Sequence, residues 1–399
     1  MDELIRYIKK ICMLVILSPL KFCRIKKNRV IMDNCLAHNY SDNIKPIAEY
    51  LIRHYPKKFD IYVSVLDESA FSFLKEKGIK TVRFHSLKFY YIAMTSAFYV
   101  TNSGGYSYLP LKRNQYVINT WHGGGAYKKI GIDSYSADRF YRNELKLAAK
   151  KTTLFTATGS LFANLISNAL LIPRDVFKLV GMPRNDVLVI GNDELRKNVR
   201  KKIGLKENES LILYAPTYRK VDDNSFGKSI AIEYGIDPER VCKAMNTRFG
   251  GKWKFAIRLH PVVKNTEEFK KYDVVDLTAY DDMQELLLAS DAMINDFSSS
   301  MWDFMLTGKP SFLFAKDLQH YIDTTAVYTP VENWPFPKST TNEELEKNIL
   351  EFDADKYKED CDKHYQHLGG CETGKATAFV CEYIANKSKI GALYENSVL

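Results

Sequence analysis

Residues 115–131 read Gln115-Tyr116-Val117-Ile118-Asn119-Thr120-Trp121-His122-Gly123-Gly124-Gly125-Ala126-Tyr127-Lys128-Lys129-Ile130-Gly131. The first five residues, rich in Val, Ile and Tyr, predict a strand. Consecutive glycines then break it, and a helical pattern resumes over Ala137–Lys150. A strand that runs through a glycine loop into a helix is a unit of a parallel α/β sheet, and such sheets bind ligands beyond the carboxyl ends of their strands. The glycines let the backbone approach a ligand and turn several N–H groups toward an anion. Lys128 and Lys129 are placed to neutralise phosphate. His122, with an ordinary pKa of about 6.5, can take a proton from a hydroxyl. The same residues also suit a tight structural turn with a hydrogen-bonded histidine.

The alternation continues on both sides. Arg29–Met32, Asp60–Val65, Thr81–Phe84, Ala97–Val100 and Leu154–Ala157 read as strands, and Asn43–His54 and Glu68–Lys77 show apolar residues at helical spacing. A second series begins near residue 210. Its expected strands are Ser210–Tyr214, Trp253–Leu259, Val274–Asp276, Ala292–Asn295 and Pro310–Phe314. Its expected helices are Pro238–Phe249, Met283–Ala289 and Met301–Thr307. Gly191–Asn208, charged and poor in aromatics, reads as a hinge, and Leu345–Ile390 is helical in pattern. The chain of 399 residues thus reads as two Rossmann-like α/β domains facing a central cleft. The divisions are 1–27 for an N-terminal segment, 28–190 and 191–370 for the domains, and 371–399 for a helical segment expected to pack back on the first domain.

Three loops of the second series follow strands and carry polar chemistry. Tyr214-Ala215-Pro216-Thr217-Tyr218-Arg219 offers a hydroxyl and a guanidinium, and Arg258-Leu259-His260-Pro261 adds a second cation and an imidazole. Asn295-Asp296-Phe297-Ser298-Ser299-Ser300 leads into a helix, whose N-terminus favours an anion. Taken singly, Ser298 could be an N-cap, His260 a core histidine and Arg258 half of an ion pair; together the loops describe a phosphate site. Gly181-Met182-Pro183-Arg184-Asn185-Asp186 reads as a constrained turn. Cys361, His364, His367 and Cys371 have the ligand types of a zinc site but the spacing of no standard module.

The net charge of +9 calls for an anionic partner, and no nucleic-acid motif is present, so phosphate-rich substrates and anionic lipid remain. Ile11–Leu20 is an apolar run too short to span a bilayer, with Lys9 and Lys10 before it and Lys21, Arg24, Lys26, Lys27 and Arg29 after it. That pattern suits an interfacial segment on an anionic membrane, or else a buried first helix with a solvated basic end. Seven cysteines, scattered and odd in number, suit a reducing compartment.

In their order along the chain, Trp121-His122-Gly123, Lys128-Lys129-Ile130-Gly131, the Gly181–Asp186 turn, Tyr214–Arg219, Arg258–Pro261, Ser290-Asp291, Asp296–Ser299, Asp303-Phe304 and Lys309-Pro310 are similar to the CDP-glycerol glycerophosphotransferase family of teichoic acid primases and polymerases. The resemblance runs over roughly residues 28–385. It implies a GT-B fold with an acceptor-binding first domain and a donor-binding second domain. It also implies peripheral attachment to the cytoplasmic face of a bacterial membrane, and transfer of a polyol phosphate from a CDP-linked donor to a lipid-linked or polymeric glycan hydroxyl, with release of CMP. No metal or other cofactor is expected. By the resemblance, His122 is the general base, and Trp121, Gly123, Gly124, Lys128 and Lys129 border the acceptor. His260 is also counted as catalytic, and it binds the donor with Thr217, Arg219, Arg258, Asp296, Ser298 and Ser299. Gly124-Gly125-Ala126-Tyr127 stands where the family usually has Thr-Pro-Leu, and Asn295 where it usually has Thr. Two other functions fit the same motifs: a GT-B capsule glycosyltransferase using CMP-sialic acid or another nucleotide sugar, and a non-catalytic lipid- or polymer-binding protein.

Overall fold

The computed structural model describes residues 2–34, 39–125, 127–134, 138–217, 234–259 and 267–390. It divides into two units: residues up to Asp186 together with those from Gly369 onward, and Val187–Leu368.

The first unit holds, among the described residues, a seven-stranded sheet of β1 (Lys26–Asp33), β2 (Asp60–Val65), β3 (Lys80–Arg83), β4 (Ser96–Thr101), β5 (Tyr116–Asn119), β6 (Thr152–Ala157) and β7 (Phe177–Leu179). The order is β3-β2-β1-β4-β5-β6-β7 and the paired strands are parallel. Strands of such a sheet are covered on both faces and therefore read as continuous apolar runs; β4 is buried at all of its residues. On one face, helices Ile44–His54 and Ala376–Ser388 pack Ile44, Ile47, Leu51, Val380 and Ile384 against Val30, Met32, Val63 and Phe98. On the other, helix Leu87–Thr95 and Leu17 pack against Ile31, Tyr62, Tyr99 and Val117. The C-terminal helix thus completes a layer of the first unit.

The second unit repeats the scheme, with described strands β8 (Glu209–Tyr214), β9 (Lys252–Ile257), β10 (Val274–Asp276), β11 (Ala292–Asn295), β12 (Ser311–Phe314) and β13 (Lys338–Ser339) in the parallel order β10-β9-β8-β11-β12-β13. In each sheet the chain reverses direction of winding once, between β1 and β4 and between β8 and β11. Those two switch points are where an open sheet leaves a crevice.

Helix Asp2–Ile16 begins the first unit. It is anchored through Arg6 and Lys10, which ion-pair with the buried Glu144, and through Tyr7 against Phe140. Leu4, Ile5, Ile8, Val15, Ile16 and Phe22 stay exposed. No helix among the described residues is long and apolar enough to cross a membrane.

One expected element differs. Glu68–Lys77 is not a helix but a single 3-10 turn, Ser72–Lys75, because Ser69 closes a local turn on the Asp67 carboxylate and Leu74 is the residue of that turn that reaches the core. Gly191–Asn208, read as a hinge, carries helix Asp193–Lys202, capped by Asn192, with Arg196 and Arg200 fixed on Asp291.

At the end of β1, Asp33 is buried and accepts hydrogen bonds from Ser64 Oγ (2.7 Å) and Tyr99 Oη (3.1 Å). Burial nevertheless pushes its carboxyl up to about 6. The folded value exceeds the unfolded one of about 3.9. The stability Asp33 contributes is therefore complete below the unfolded pKa and is lost as pH rises through about 6. Relative to Asp33→Asn, the wild-type chain is expected to lose up to about 3 kcal/mol between pH ~4 and ~7.5. Denaturant unfolding of both chains at the two pH values measures this, and parallel losses would contradict it.

Candidate active site

The first cluster lies beyond the carboxyl ends of β1, β4 and β5. Past β5 the chain turns sharply: Trp121 has φ +54°, a left-handed conformation that costs an aromatic residue on the order of 1–3 kcal/mol. The turn is held at both ends. Trp121 N–H donates to Asn119 Oδ1 (2.8 Å), and Asn43 Nδ2 donates to the Trp121 carbonyl (2.8 Å). The indole stacks on the His122 ring at 4.7 Å between centroids.

His122 Nδ1 lies 2.7 Å from the Asn102 carbonyl. A carbonyl only accepts, so the proton sits on Nδ1 and Nε2 keeps its lone pair, which is the tautomer a general base requires. Asn102 is itself fixed, since its Nδ2 donates to Asn34 Oδ1 (2.5 Å) and Asn34 donates to Asn39 Oδ1 (2.7 Å). The protein packed around the ring is the largest influence on its charge and disfavours the imidazolium. Arg184 acts in the same direction, the Asn102 carbonyl and Asp42 act against it, and His122 ends below the ordinary histidine value. His122 is nonetheless exposed, so a substrate hydroxyl has access to it. A neutral, oriented and reachable imidazole can remove a proton at pH 7.

The glycine loop has a defined geometry. Gly125 has φ +80°, and a Cβ there would meet the Tyr127 ring at 1.9 Å; its N–H donates to Thr158 Oγ1 (3.2 Å). That amide is spent inside the protein rather than offered to an anion. Gly123 and Gly124 are half-buried beside it, while Lys128 and Lys129 are exposed.

In the second unit the switch point between β8 and β11 gathers another polar group. Asp296 is buried, and its Oδ1 accepts from Thr217 N–H (2.8 Å), Thr217 Oγ1 (2.8 Å) and Phe297 N–H. Asp296 therefore ties the loop after β8 to the loop after β11. Ser298 Oγ and Ser300 Oγ are 3.0 Å apart, and Asn295 Nδ2 donates to Ser300 Oγ (2.8 Å). Ser299 precedes helix Ser300–Met305 without capping it and is exposed. Arg258 is half-buried: its backbone N–H pairs with the Tyr214 carbonyl, and its Nε donates to Tyr280 O (3.2 Å). Arg219 and His260 lie outside the described residues. Thr217, Asp296, Ser298, Ser299 and Arg258 thus belong to the second unit, and Trp121, His122, Gly123, Gly124, Lys128 and Lys129 to the first.

Of the four zinc-type residues, His364 is buried and stacks on Trp302 at 5.2 Å, and Cys371 Sγ–H bonds the Ala157 carbonyl. Among the described residues no group of three or more His, Cys, Asp or Glu side chains could hold a metal ion.

Sequence reasoning passed over Asn34, Asp42, Asn43 and Asn102, and read Arg184 as part of a turn. Asn34 and Asn102 follow β1 and β4 at a switch point, and that position was the available signal. The Gly181–Asp186 turn is tight for a physical reason: Gly181 has φ +84° and a Cβ there would meet the Glu372 carboxylate at 2.2 Å.

Known proteins resemble the chain over nearly its whole length. It is 26% identical over 375 residues to the teichoic acid poly(glycerol phosphate) polymerase of Staphylococcus epidermidis, covering 90% of this chain and 51% of that one. It is 24% identical over 371 residues to the teichoic acid glycerol-phosphate transferase of Staphylococcus aureus, covering 90% and 93%. The chain spans about half the length of the Staphylococcus epidermidis polymerase and of the Bacillus subtilis one, 51% and 45%. The solved structure of the wall teichoic acid polymerase TagF superposes with a TM-score of 0.81 at 24% identity, covering 97% of each chain. That likeness establishes the fold as GT-B-like, with two Rossmann-type parallel sheets. The family model for CDP-Glycerol:Poly(glycerophosphate) glycerophosphotransferase matches residues 16–386, and the chain belongs to that family.

Proposed function

We propose that the chain transfers glycerol phosphate from CDP-glycerol to a hydroxyl of a teichoic acid-type acceptor and releases CMP. The observation that carries this is the bond from His122 Nδ1 to the Asn102 carbonyl, which leaves Nε2 as a proton acceptor on a chain of this family. The acceptor oxygen attacks the phosphorus that bears glycerol, and its proton passes to Nε2. The bond from that phosphorus to the CMP oxygen breaks, and CMP leaves as the anion. Such a step needs positioning and charge stabilisation rather than a covalent intermediate. Thr217, Ser298, Ser299 and Arg258, with Arg219 and His260, are the groups we assign to the donor pyrophosphate, and Asp296 organises two of their loops. Trp121, Gly123, Gly124, Lys128 and Lys129 are assigned to the acceptor.

The same reading places the protein on the cytoplasmic face of the membrane, where a lipid-linked acceptor is available. The exposed Leu4, Ile5, Ile8, Val15, Ile16 and Phe22 beside the basic residues of the N-terminal segment support it, since apolar side chains enter the headgroup region while cations meet anionic lipid.

CMP release from purified protein, offered CDP-glycerol, CDP-ribitol or CMP-sialic acid with lipid-linked teichoic acid precursors, tests the reaction. Release is expected with CDP-glycerol and is expected to persist in excess EDTA. Release with CMP-sialic acid alone would replace the reading by glycosyl transfer, and silence with all three donors would favour a binding protein.

A further inference from the structure

The arginine of the Gly181–Asp186 turn reaches the histidine loop. Arg184 is buried; its Nη1 donates to the His122 carbonyl (2.9 Å) and to Asp42 Oδ2 (2.7 Å). Its backbone N–H donates to Asn43 Oδ1 (3.0 Å), and the other end of the same Asn43 amide donates to the Trp121 carbonyl. The Trp121 and His122 carbonyls, which bracket the left-handed turn, are therefore each held by a side chain from a distant part of the sequence. Asn43 is fully buried, so neither donor is free to turn to solvent. We propose that Arg184 and Asn43, with Asp42 as the counter-ion, are positioning residues that pin the Trp121–His122 turn and so aim His122 Nε2 at the acceptor hydroxyl. This rests on His122 being the base.

The arrangement has a readout that plain structural support lacks. Among the described residues, Asp42 and Arg184 are the charged groups that act on the His122 ring, with opposite signs. A base works when neutral, so activity climbs with pH through its pKa. Removing the cation in Arg184→Gln is expected to move that limb to higher pH, and removing the anion in Asp42→Asn to move it to lower pH. Misaiming the base also lowers kcat by about 10²-fold in Arg184→Gln, with KM for CDP-glycerol held within about twofold. Arg184→Lys keeps the charge, but its shorter, flexible stem does not hold one nitrogen rigidly between the two acceptors that Nη1 bridges, so kcat falls while the limb stays in place.

The experiment measures CMP release from CDP-glycerol against pH for the three variants, with melting curves to verify folding. If Arg184→Gln does not fold, Arg184→Lys and Asp42→Asn carry the test by the kcat loss of the first and the limb shift of the second. Unchanged kcat in folded Arg184 variants, or losses with no opposed movement of the limbs, would overturn the proposal. His122→Ala runs alongside. Full activity there defeats the assignment of the base, whereas an inactive His122→Ala beside fully active Arg184 variants defeats the positioning role alone.

Discussion

His122→Ala is expected to cut kcat for CMP release by about 10²–10⁴-fold, the usual contribution of a positioned general base, while CDP-glycerol binds as before. His122 belongs to the first unit, whereas Thr217, Asp296 and Ser298 belong to the second, so donor affinity and proton removal separate by residue. His122→Gln is the sharper variant. Its amide can still donate to the Asn102 carbonyl in place of Nδ1 but supplies no base, so its loss isolates the chemistry from the geometry. His122→Ala removes the bond to the buried Asn102 carbonyl and the stack on Trp121, so melting curves accompany both variants. In the wild-type chain, kcat is expected to fall as acid protonates His122 and to be insensitive to it at neutral pH, because its pKa is held below the ordinary value. Calorimetric titration with CDP-glycerol, beside steady-state rates, decides the matter. Lost nucleotide affinity in His122→Gln with an unchanged kcat would move this histidine from base to donor ligand.

How much of this could be read beforehand depends on whether the determinant is local. Strands Asp60–Val65, Val274–Asp276 and Ala292–Asn295 and helices Pro238–Phe249 and Met283–Ala289 fall on the residues that their composition and apolar spacing predict. A buried parallel strand writes its environment into its own composition. Glu68–Lys77 misled because helical spacing of apolar residues does not say whether a neighbouring surface exists to receive them. Helices Leu87–Thr95 and Ser160–Leu170 went unrecognised: both are apolar enough that no clear polar face marks their period. His122 and the Asp296–Ser299 loop were visible because each follows a strand into a glycine- or serine-rich turn. Arg184 was not, since its partners Asp42 and His122 lie 142 and 62 residues away, and nothing in a local pattern encodes such a contact. Asp296 is expected to touch the donor, and in the structure its Oδ1 accepts from Thr217 and Phe297.

That engagement makes Asp296→Ala the second large expected effect. Asp296 is 1% exposed, so the carboxylate works at low dielectric, where hydrogen bonds to a charged acceptor contribute about 1.5–3 kcal/mol each. Removing it takes away the carboxylate oxygen that Thr217 N–H, Thr217 Oγ1 and Phe297 N–H share. Both loops end strands at the β8–β11 switch point, so the donors they would present to a pyrophosphate lose their fixed direction. Losing one preorganised donor commonly costs about 10²–10³-fold in rate. A fall of that order in kcat/KM for CDP-glycerol is therefore expected, with weaker CMP binding, unlike His122→Ala. Asp296→Asn retains one acceptor oxygen of the same shape, loses the charge and turns the second oxygen into a donor, so its deficit is expected to be about tenfold. The order Ala worse than Asn, expressed in CMP affinity as well as rate, distinguishes loop organisation from direct contact with the transferred group. Normal CMP affinity in a folded Asp296→Ala chain would separate this loop pair from the donor site and send the search for pyrophosphate ligands to the other strand ends of the second sheet.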